Sequence, residues 1–272
     1  MLSPSSFAVA ASLGTAILLA LLAWALRRAH DRRVAALEAR AKSLQSEVAA
    51  SRERLHAWLS GAAHALSQPL TTLHGTLELA LLSDATPAEA HPALEDALQQ
   101  VQTAVSMTRL LRELADAEMS DPPARPTSLT SVLEELREDL EKLAQARGIR
   151  LLLQSDVSSP VLAIPSDLRR AIQYLVERAL DRSPAGGVVQ ITAAQDTNAA
   201  SIVIRDQGPV IPVEDLPHWF EPFYARRAGA FSKLDALRLA VAERICASCR
   251  GSVSAANDEN GGARFILRLP LP

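Results

Sequence analysis

The chain has 272 residues, of which 48% are hydrophobic and 22% are charged, and its formal net charge is -3. This composition excludes a disordered chain, and on a prior of roughly 150 residues per domain it provides for one membrane segment and two modest domains. The weakly acidic balance and the few aromatic residues also exclude a basic, base-stacking surface. We therefore expect no nucleic acid among the partners.

The first predicted element is a single transmembrane helix at residues 7–26, FAVAASLGTAILLALLAWAL. This stretch carries no charge and, at about 1.5 Å per residue, can cross a ~30 Å hydrocarbon core. A cleaved signal peptide is the alternative, but it would have a shorter apolar region with a basic residue before it. Because four arginines follow the segment, we expect residues 1–6 outside and the remainder in the cytoplasm, anchored in the inner (cytoplasmic) membrane.

Residues 27–60 have the pattern of a coiled-coil linker. Apolar or small residues recur at alternating steps of three and four, with charged residues on the outward positions, which predicts a short parallel two-stranded coil and hence a dimer. An amphipathic helix on the bilayer surface is the alternative, although its apolar face would be broader. The predicted seam comprises Val34, Leu37, Ala41, Leu44, Val48, Ser51, Leu55, Trp58, Ala62 and Ala65.

Residues 61–120 are predicted to form an all-α helical hairpin. The first helix extends from about Arg52 to Ser83, and the second from about Ala93 to Met119. Both carry leucines and valines at helical spacing, so two copies of the hairpin would make a four-helix bundle. The prolines of residues 121–128 cannot continue a helix, and they mark a linker to a different domain.

Residues 129–272 alternate between helical and strand patterns, which predicts an α+β sandwich. Two cysteines, Cys246 and Cys249, lie in its last predicted helix. We interpret them as small core residues, with a redox pair as the alternative, and we assign no metal ligand in the chain. The predicted helices are 131–147, 168–182 and 239–249, and the predicted strands are 149–154, 188–194, 200–205, 252–256 and 263–269.

Three short motifs, in order, resemble the sequence boxes of sensor histidine kinases. The segment from His64 to Leu70, HALSQPL, is similar to the phosphoacceptor box H-[ED]-x-x-x-P-L. Residues 206–211, DQGPVI, and 219–224, WFEPFY, are similar to two boxes of the family's ATP-binding domain. The resemblance covers residues 27–272. It implies a dimeric phosphotransfer hairpin followed by an ATPase-type α+β sandwich, with ATP and Mg²⁺ as cofactors and a response regulator receiver domain as partner.

The resemblance also assigns site residues. His64 takes the phosphoacceptor position, Asp206 the position that recognises adenine, and Gly208 the first glycine after it. Phe220 and Phe223 match the aromatic residues of the third box. Gln68, four residues after His64, has a side-chain amide that could orient a water molecule against a phosphorylated aspartate, as Thr or Asn does in the family's phosphatases.

All four of the family's boxes that carry chemistry depart from the family pattern at one or more positions. Ala65 replaces the acidic residue that polarises the imidazole. Arg178 replaces the asparagine that binds the metal, although arginine has donors only and a fixed positive charge, and Tyr174 replaces an earlier asparagine of the same box. Val210 replaces a glycine where close backbone approach is needed. Residues 234–239, LDALRL, replace the glycine-rich box G-x-G-L-G-L whose backbone N–H groups hold phosphates.

These departures predict a degenerate kinase with weak or absent autokinase activity. Our first hypothesis is phosphotransfer or phosphatase action on a response regulator through the His64 helix. Arg178 could pair directly with a phosphate of a nucleotide, so that a nucleotide could bind without magnesium. The alternative is a catalytically inactive pseudokinase that forms a heterodimer with an active kinase and modulates it. A second alternative is an active ATP-dependent histidine kinase with drifted motifs.

Overall fold

A computed structural model describes residues 4–82, 87–119, 125–224, 232–259 and 261–271. The chain divides into two compact units, Met1–Leu59 and Ser60–Pro272. Helix α1, Pro4–Leu82, begins in the first unit. The predicted membrane segment, residues 7–26, lies on this helix, but its side chains, Trp24 excepted, lie outside the described residues. Among the residues that the structure describes, no helix has the length and apolar character needed to cross a bilayer.

The first unit exposes the apolar residues of the predicted coiled-coil seam. Leu37, Leu44, Val48 and Leu55 are all more than half exposed in the single chain. A second helix would cover these side chains in a coiled coil, because apolar residues at this spacing form one narrow stripe. The coil itself stays a prediction.

The second unit begins with the remainder of α1 and continues with α2, Pro87–Met119. Helix α1 continues through Pro69, and α2 begins at Pro87, so the predicted start at Ala93 is wrong. Proline is favoured at the first helical position because its missing N–H would have had no partner there. Pro92 removes one hydrogen bond inside α2 without ending the helix.

An α+β domain follows, with three helices on a five-stranded sheet. The sheet order is β2-β4-β5-β7-β6, in which only the β2 and β4 pair is parallel. A small two-stranded sheet of β1 and β3 was not predicted. The elements are β1 Arg125–Thr127, α3 Leu129–Ala146, β2 Arg150–Asp156, β3 Val161–Ala163, α4 Pro165–Arg182, β4 Val188–Gln195, β5 Ala199–Arg205, a 3₁₀ turn Leu216–His218, α5 Lys233–Ser248, β6 Ser252–Asn257 and β7 Ala263–Pro270.

The core of this domain lies between the sheet and the helices. Strands β4, β5 and β7 bury every second side chain, including Ile191, Ile202 and Phe265, because alternate residues of a strand point to the same face. Each such aliphatic or aromatic side chain contributes about 1.5–3 kcal/mol through burial. Helix α5 also packs against α2, so the ATPase-like domain and α2 share one packed region.

Both cysteines lie in that core. Cys246 and Cys249 are free thiols and are buried. Burial, followed by the nearby Cys249, raises the pKa of the Cys246 thiol and so disfavours the reactive thiolate. These observations support the core interpretation over the redox pair.

Helix α5 begins at Lys233, before the predicted start at Leu239, so that prediction is wrong. The cause is a capping box. The Ser232 hydroxyl accepts a hydrogen bond from the Asp235 backbone N–H, and the Asp235 carboxylate accepts one from the Ser232 N–H. Residues 234–239 are therefore helical, and their backbone N–H groups are committed largely to the helix.

Candidate functional site

The His64 side chain is exposed on α1. Ala62, Ala65 and Pro69 are buried on the adjoining helix face, so the histidine projects from the edge of the packed region. Gln68 lies one turn later and is also exposed. Residues four apart on a helix are neighbours on one face, about 5–6 Å apart at Cβ. The two residues that the sequence assigned to phosphoryl chemistry therefore share an accessible surface.

A residue of the ATPase-like domain contacts this surface. The Lys233 ammonium, at the first position of α5, donates a hydrogen bond to Oε1 of Gln68 at 2.9 Å. The two residues are 165 positions apart in the chain. The sequence prediction did not identify Lys233, because nothing in the sequence places the start of α5 beside α1.

Phe223 lies beside the same stretch of α1. A Cβ added to Gly61 would stand 2.5 Å from Cδ2 of Phe223, so the ring lies directly over the glycine. Phe223 has a φ of 70°, a left-handed conformation that is unfavourable for a bulky residue and costs on the order of 1–3 kcal/mol. Phe220 is instead buried in the domain core. The two aromatic residues of the third box therefore have different surroundings.

Arg178 is buried on α4, with 4% of its side chain exposed. Its Nη1 lies 3.5 Å from the Asp235 carboxylate, whose side chain is 14% exposed. Its guanidinium also lies 5.8 Å from the ring centroid of Trp219, within cation–π range. Burial lowers the pKa of Arg178, while Asp235 opposes that shift. An ion pair thus connects the family's metal-binding position with its phosphate-binding box.

A second buried ion pair involves Asp206. Nε of Arg182 donates to Asp206 Oδ2 at 2.9 Å, and these side chains are 5% and 0% exposed. Arg182 also donates to the backbone carbonyl of Pro209 and lies 5.6 Å from the Trp219 ring centroid. Arg182 therefore engages one oxygen of the carboxylate that was predicted to recognise adenine.

The other oxygen of Asp206 is engaged by backbone. Its Oδ1 accepts hydrogen bonds from the N–H groups of Gly208 at 2.9 Å and Ala263 at 3.0 Å. Gly208 is required here, because a Cβ would stand 2.5 Å from the carbonyl oxygen of Arg182. Val210, in place of the family's second glycine, is 59% exposed and does not enter this cluster.

Two further positions of the ATP-binding boxes also form contacts within the protein. Tyr174, at the first asparagine position of the family pattern, donates a hydrogen bond to Glu113 of α2 at 2.9 Å. Arg238, at the third glycine position, lies 3.7 Å from Glu177 and 3.9 Å from Asp235.

These residues do not fit a magnesium-bound triphosphate. Arg178 is a cation where the metal ligand should be, and arginine cannot coordinate another cation. Both carboxylate oxygens of Asp206 already accept hydrogen bonds from the protein. The helical start of α5 replaces a flexible phosphate-binding loop.

Arg182 and Lys233 are the site residues that sequence reasoning missed. Arg182 lies four residues after Arg178, so the two share one helix face, and this spacing could have identified it. For Lys233 the available signal is its rarity, since the lysines of the chain are Lys42, Lys142 and Lys233 among 28 basic residues.

Known proteins similar to this chain support one family. Residues 163–272 match the family described as histidine kinase-, DNA gyrase B-, and HSP90-like ATPase. The sensor histidine kinase CusS of Escherichia coli (strain K12) is 26% identical over 215 residues, which cover 76% of this chain and 44% of CusS. The signal transduction histidine-protein kinase/phosphatase MprB of Mycobacterium tuberculosis (strain H37Rv) is 27% identical over 241 residues, which cover 83% of this chain and 47% of MprB. The chain thus spans about half the length of these relatives.

Solved structures show the same fold. The histidine kinase AdeS of Acinetobacter baumannii superposes with a TM-score of 0.62 and 22% identity, covering 76% of this chain and 98% of AdeS. The histidine kinase ThkA, solved in complex with the response regulator protein TrrA, gives a TM-score of 0.65 and 18% identity, covering 81% of this chain and 64% of ThkA. The predicted α+β fold of the histidine-kinase ATPase type is confirmed. The resemblance to sensor histidine kinases that the motifs of this chain predicted is confirmed.

Proposed function

We propose that this chain is a two-component signalling protein that moves phosphoryl groups at a response regulator through His64 and Gln68, and that it does not phosphorylate itself efficiently from ATP. The observation that carries this proposal is the presence of two ion pairs, Arg178 with Asp235 and Arg182 with Asp206, at the positions where the family binds its nucleotide. Opening the Arg182–Asp206 pair would separate two buried charges, which costs on the order of 3–5 kcal/mol.

The phosphoryl chemistry would take place on the exposed face of α1. In phosphotransfer, a neutral nitrogen of His64 attacks the phosphorus of a receiver's aspartyl phosphate, the P–O bond breaks, and the aspartate carboxylate leaves with the electron pair. In hydrolysis, a water molecule oriented by the Gln68 amide makes that attack, and inorganic phosphate is released. The name of MprB, a kinase/phosphatase, supports the presence of both activities in this family.

The assembly that we propose is a homodimer anchored in the cytoplasmic membrane through residues 7–26. Within the described residues, α1 and α2 expose a series of apolar side chains at helical spacing that a second hairpin would cover in a four-helix bundle. These are Leu70, Leu77, Leu81, Leu94, Leu98, Val101 and Val105. A receiver domain would then reach His64 from outside the bundle.

The test uses the full chain in detergent or nanodiscs. With γ-labelled ATP and magnesium we expect little label on the protein. With a response regulator receiver domain that carries labelled aspartyl phosphate, we expect label to reach His64 or to be released as phosphate. His64→Ala should abolish transfer, and Gln68→Ala should slow the release. Rapid labelling from ATP that His64→Ala abolishes would instead identify an active kinase with drifted motifs.

The second candidate is a pseudokinase that forms a heterodimer with an active kinase and leaves His64 unused. The exposed apolar series on α1 and α2 favours it, because such a surface can pair with a related hairpin as well as with its own copy. Signalling by a His64→Ala variant in cells distinguishes the candidates. Retention of wild-type signalling supports the pseudokinase, whereas loss supports phosphotransfer.

A further inference from the structure

The bond between Lys233 and Gln68 places a positive charge beside the phosphoryl-handling face of α1. Lys233 Nζ is 2.9 Å from Oε1 of Gln68, and His64 lies one helical turn from Gln68. Because residues four apart on a helix lie about 5–6 Å apart at Cβ, the ammonium is within side-chain reach of a group bound between His64 and Gln68.

The chemistry of this lysine suits a phosphoryl group. An ammonium has three N–H donors, and the bond to Gln68 uses one of them. The Gln68 amide is neutral, so this contact does not neutralise the lysine. By contrast, Lys142 forms an ion pair with Glu138 on its own helix, at 2.6 Å. The acid in the first turn of α5, Asp235, is engaged by Ser232 and Arg178.

Lys233 also differs in residue type from the other cations near the site. The cations at the ATP-like positions, Arg178, Arg182 and Arg238, are arginines held against carboxylates. A lysine ammonium is instead a compact charge on a flexible stem that can follow a phosphoryl group as it moves between two atoms.

We propose that Lys233 is a phosphoryl-binding residue that, with His64 and Gln68, forms a site for the phosphoryl group of an acyl phosphate on a receiver domain. This inference rests on the proposed function and deepens it. Lys233 neutralises part of the phosphoryl charge while the acyl P–O bond breaks and either a P–N bond to His64 or a P–O bond to water forms. The aspartate carboxylate leaves with the electron pair, and the proton of the imidazole or the water passes to solvent.

The experiment uses the full chain with a receiver domain carrying labelled aspartyl phosphate. Lys233→Met should lower kcat/KM for transfer and for phosphate release about 10- to 100-fold, which is the range expected for loss of a charge-assisted hydrogen bond. Lys233→Arg should retain most of the activity, and Lys142→Met is the matched control that should retain all of it. Thermal melting confirms that each variant is folded.

A second measurement separates phosphoryl binding from mere support of the Gln68 side chain. In a Gln68→Ala background, Lys233→Met should still slow transfer to His64. It should also abolish any tighter binding of a beryllofluoride-modified receiver relative to the unmodified receiver. Unchanged transfer in Lys233→Met, or an effect that vanishes in the Gln68→Ala background, overturns the inference. A wild-type chain that neither accepts nor releases label overturns the proposed function, and this inference with it.

Discussion

The guanidinium of Arg178 lies 3.5 Å from the carboxylate of Asp235, and their side chains are 4% and 14% exposed. One residue occupies the metal-binding position of the family and the other lies in its glycine-rich box. Taken singly, Arg178 would lack the carboxylate that opposes the desolvation of its guanidinium. Asp235 would keep Ser232 and the more distant Arg238 but would lose its nearest cation. Together they offset one another, so the two departures from the family pattern constitute one structural change.

A double-mutant cycle tests this coupling. We expect Arg178→Met and Asp235→Asn each to lower the free energy of unfolding, the first by about 1–3 kcal/mol because Asp235 keeps Ser232 and Arg238 but loses its nearest cation. The double variant should lose less than the sum of the two, by about 1–3 kcal/mol. Urea unfolding of the full chain measures all four proteins. Additive losses would show that the two side chains do not interact.

The ion pair between Arg182 and Asp206 should oppose nucleotide binding, because it engages the carboxylate that would recognise adenine. Arg182→Gln should release Asp206 Oδ2 and free the carboxylate to accept a hydrogen bond from an adenine amino group. We expect ADP to raise the melting temperature of this variant and to leave that of the wild-type chain nearly unchanged, since a ligand stabilises only the state that binds it.

The control for that measurement is Arg182→Gln combined with Asp206→Asn. Asp206→Asn replaces one carboxylate oxygen, which accepts hydrogen bonds, with an NH2 group, which donates them. It should therefore remove the stabilisation by ADP. A clear rise in the melting temperature of the wild-type chain would contradict the prediction, because it would show a nucleotide bound with Arg182 in place.

The sequence predicted the main strands and helices because their patterns are local. Alternation along β4 and β5 and the helical spacing of buried residues on α4 depend only on neighbouring positions. The start of α5 was missed because the glycine-rich box suggested a loop, whereas the Ser232 and Asp235 side chains cap a helix there. The small sheet of β1 and β3 was missed because strands of three residues show no periodicity.

The candidate site was predictable only in part, for a related reason. His64, Gln68, Arg178 and Asp206 could be identified by alignment with known boxes, since each is a substitution or match at a defined position. The contacts that determine their roles link distant segments. Which cation pairs with Asp206, and which residue contacts Gln68, depends on how α4 and α5 pack, and no local pattern records that packing.

The buried phenol of Tyr174 should make the stability of the protein depend on pH. Burial, and then its hydrogen bond to Glu113, raise the pKa of Tyr174 above its ordinary value. A group whose pKa is raised on folding stabilises the protein fully below its unfolded pKa, here about 10, and loses that contribution as pH rises further. We therefore expect wild-type stability to fall from about pH 10 upward.

Tyr174→Phe isolates this contribution. At pH 8 the variant should be less stable by about 1.5–3 kcal/mol, because Glu113 loses a hydrogen-bond donor. The difference between the two proteins should shrink as pH rises past about 10, since only the wild type has a phenol to ionise at this position. Urea unfolding at several pH values measures the difference, and a constant gap up to pH 11 would be inconsistent with a raised pKa.

The contact between Gly61 and Phe223 should reverse the usual effect of a glycine-to-alanine substitution in a helix. Replacing a helical glycine with alanine normally stabilises a helix by about 1 kcal/mol. At Gly75, where nothing lies within 4 Å of an added Cβ, we expect Gly75→Ala to produce that gain. At Gly61 the added Cβ would stand 2.5 Å from the Phe223 ring, so Gly61→Ala should instead destabilise by about 1–3 kcal/mol.

A second substitution identifies the cause. Phe223→Gly removes the ring and suits the left-handed backbone at φ 70°, so in its presence Gly61→Ala should recover the stabilising sign seen at Gly75. Thermal or urea unfolding of these variants measures the comparison. If Gly61→Ala stabilises the wild-type chain as much as Gly75→Ala does, the Phe223 ring does not rest on α1, and the contact that brings the third box beside His64 is absent in solution.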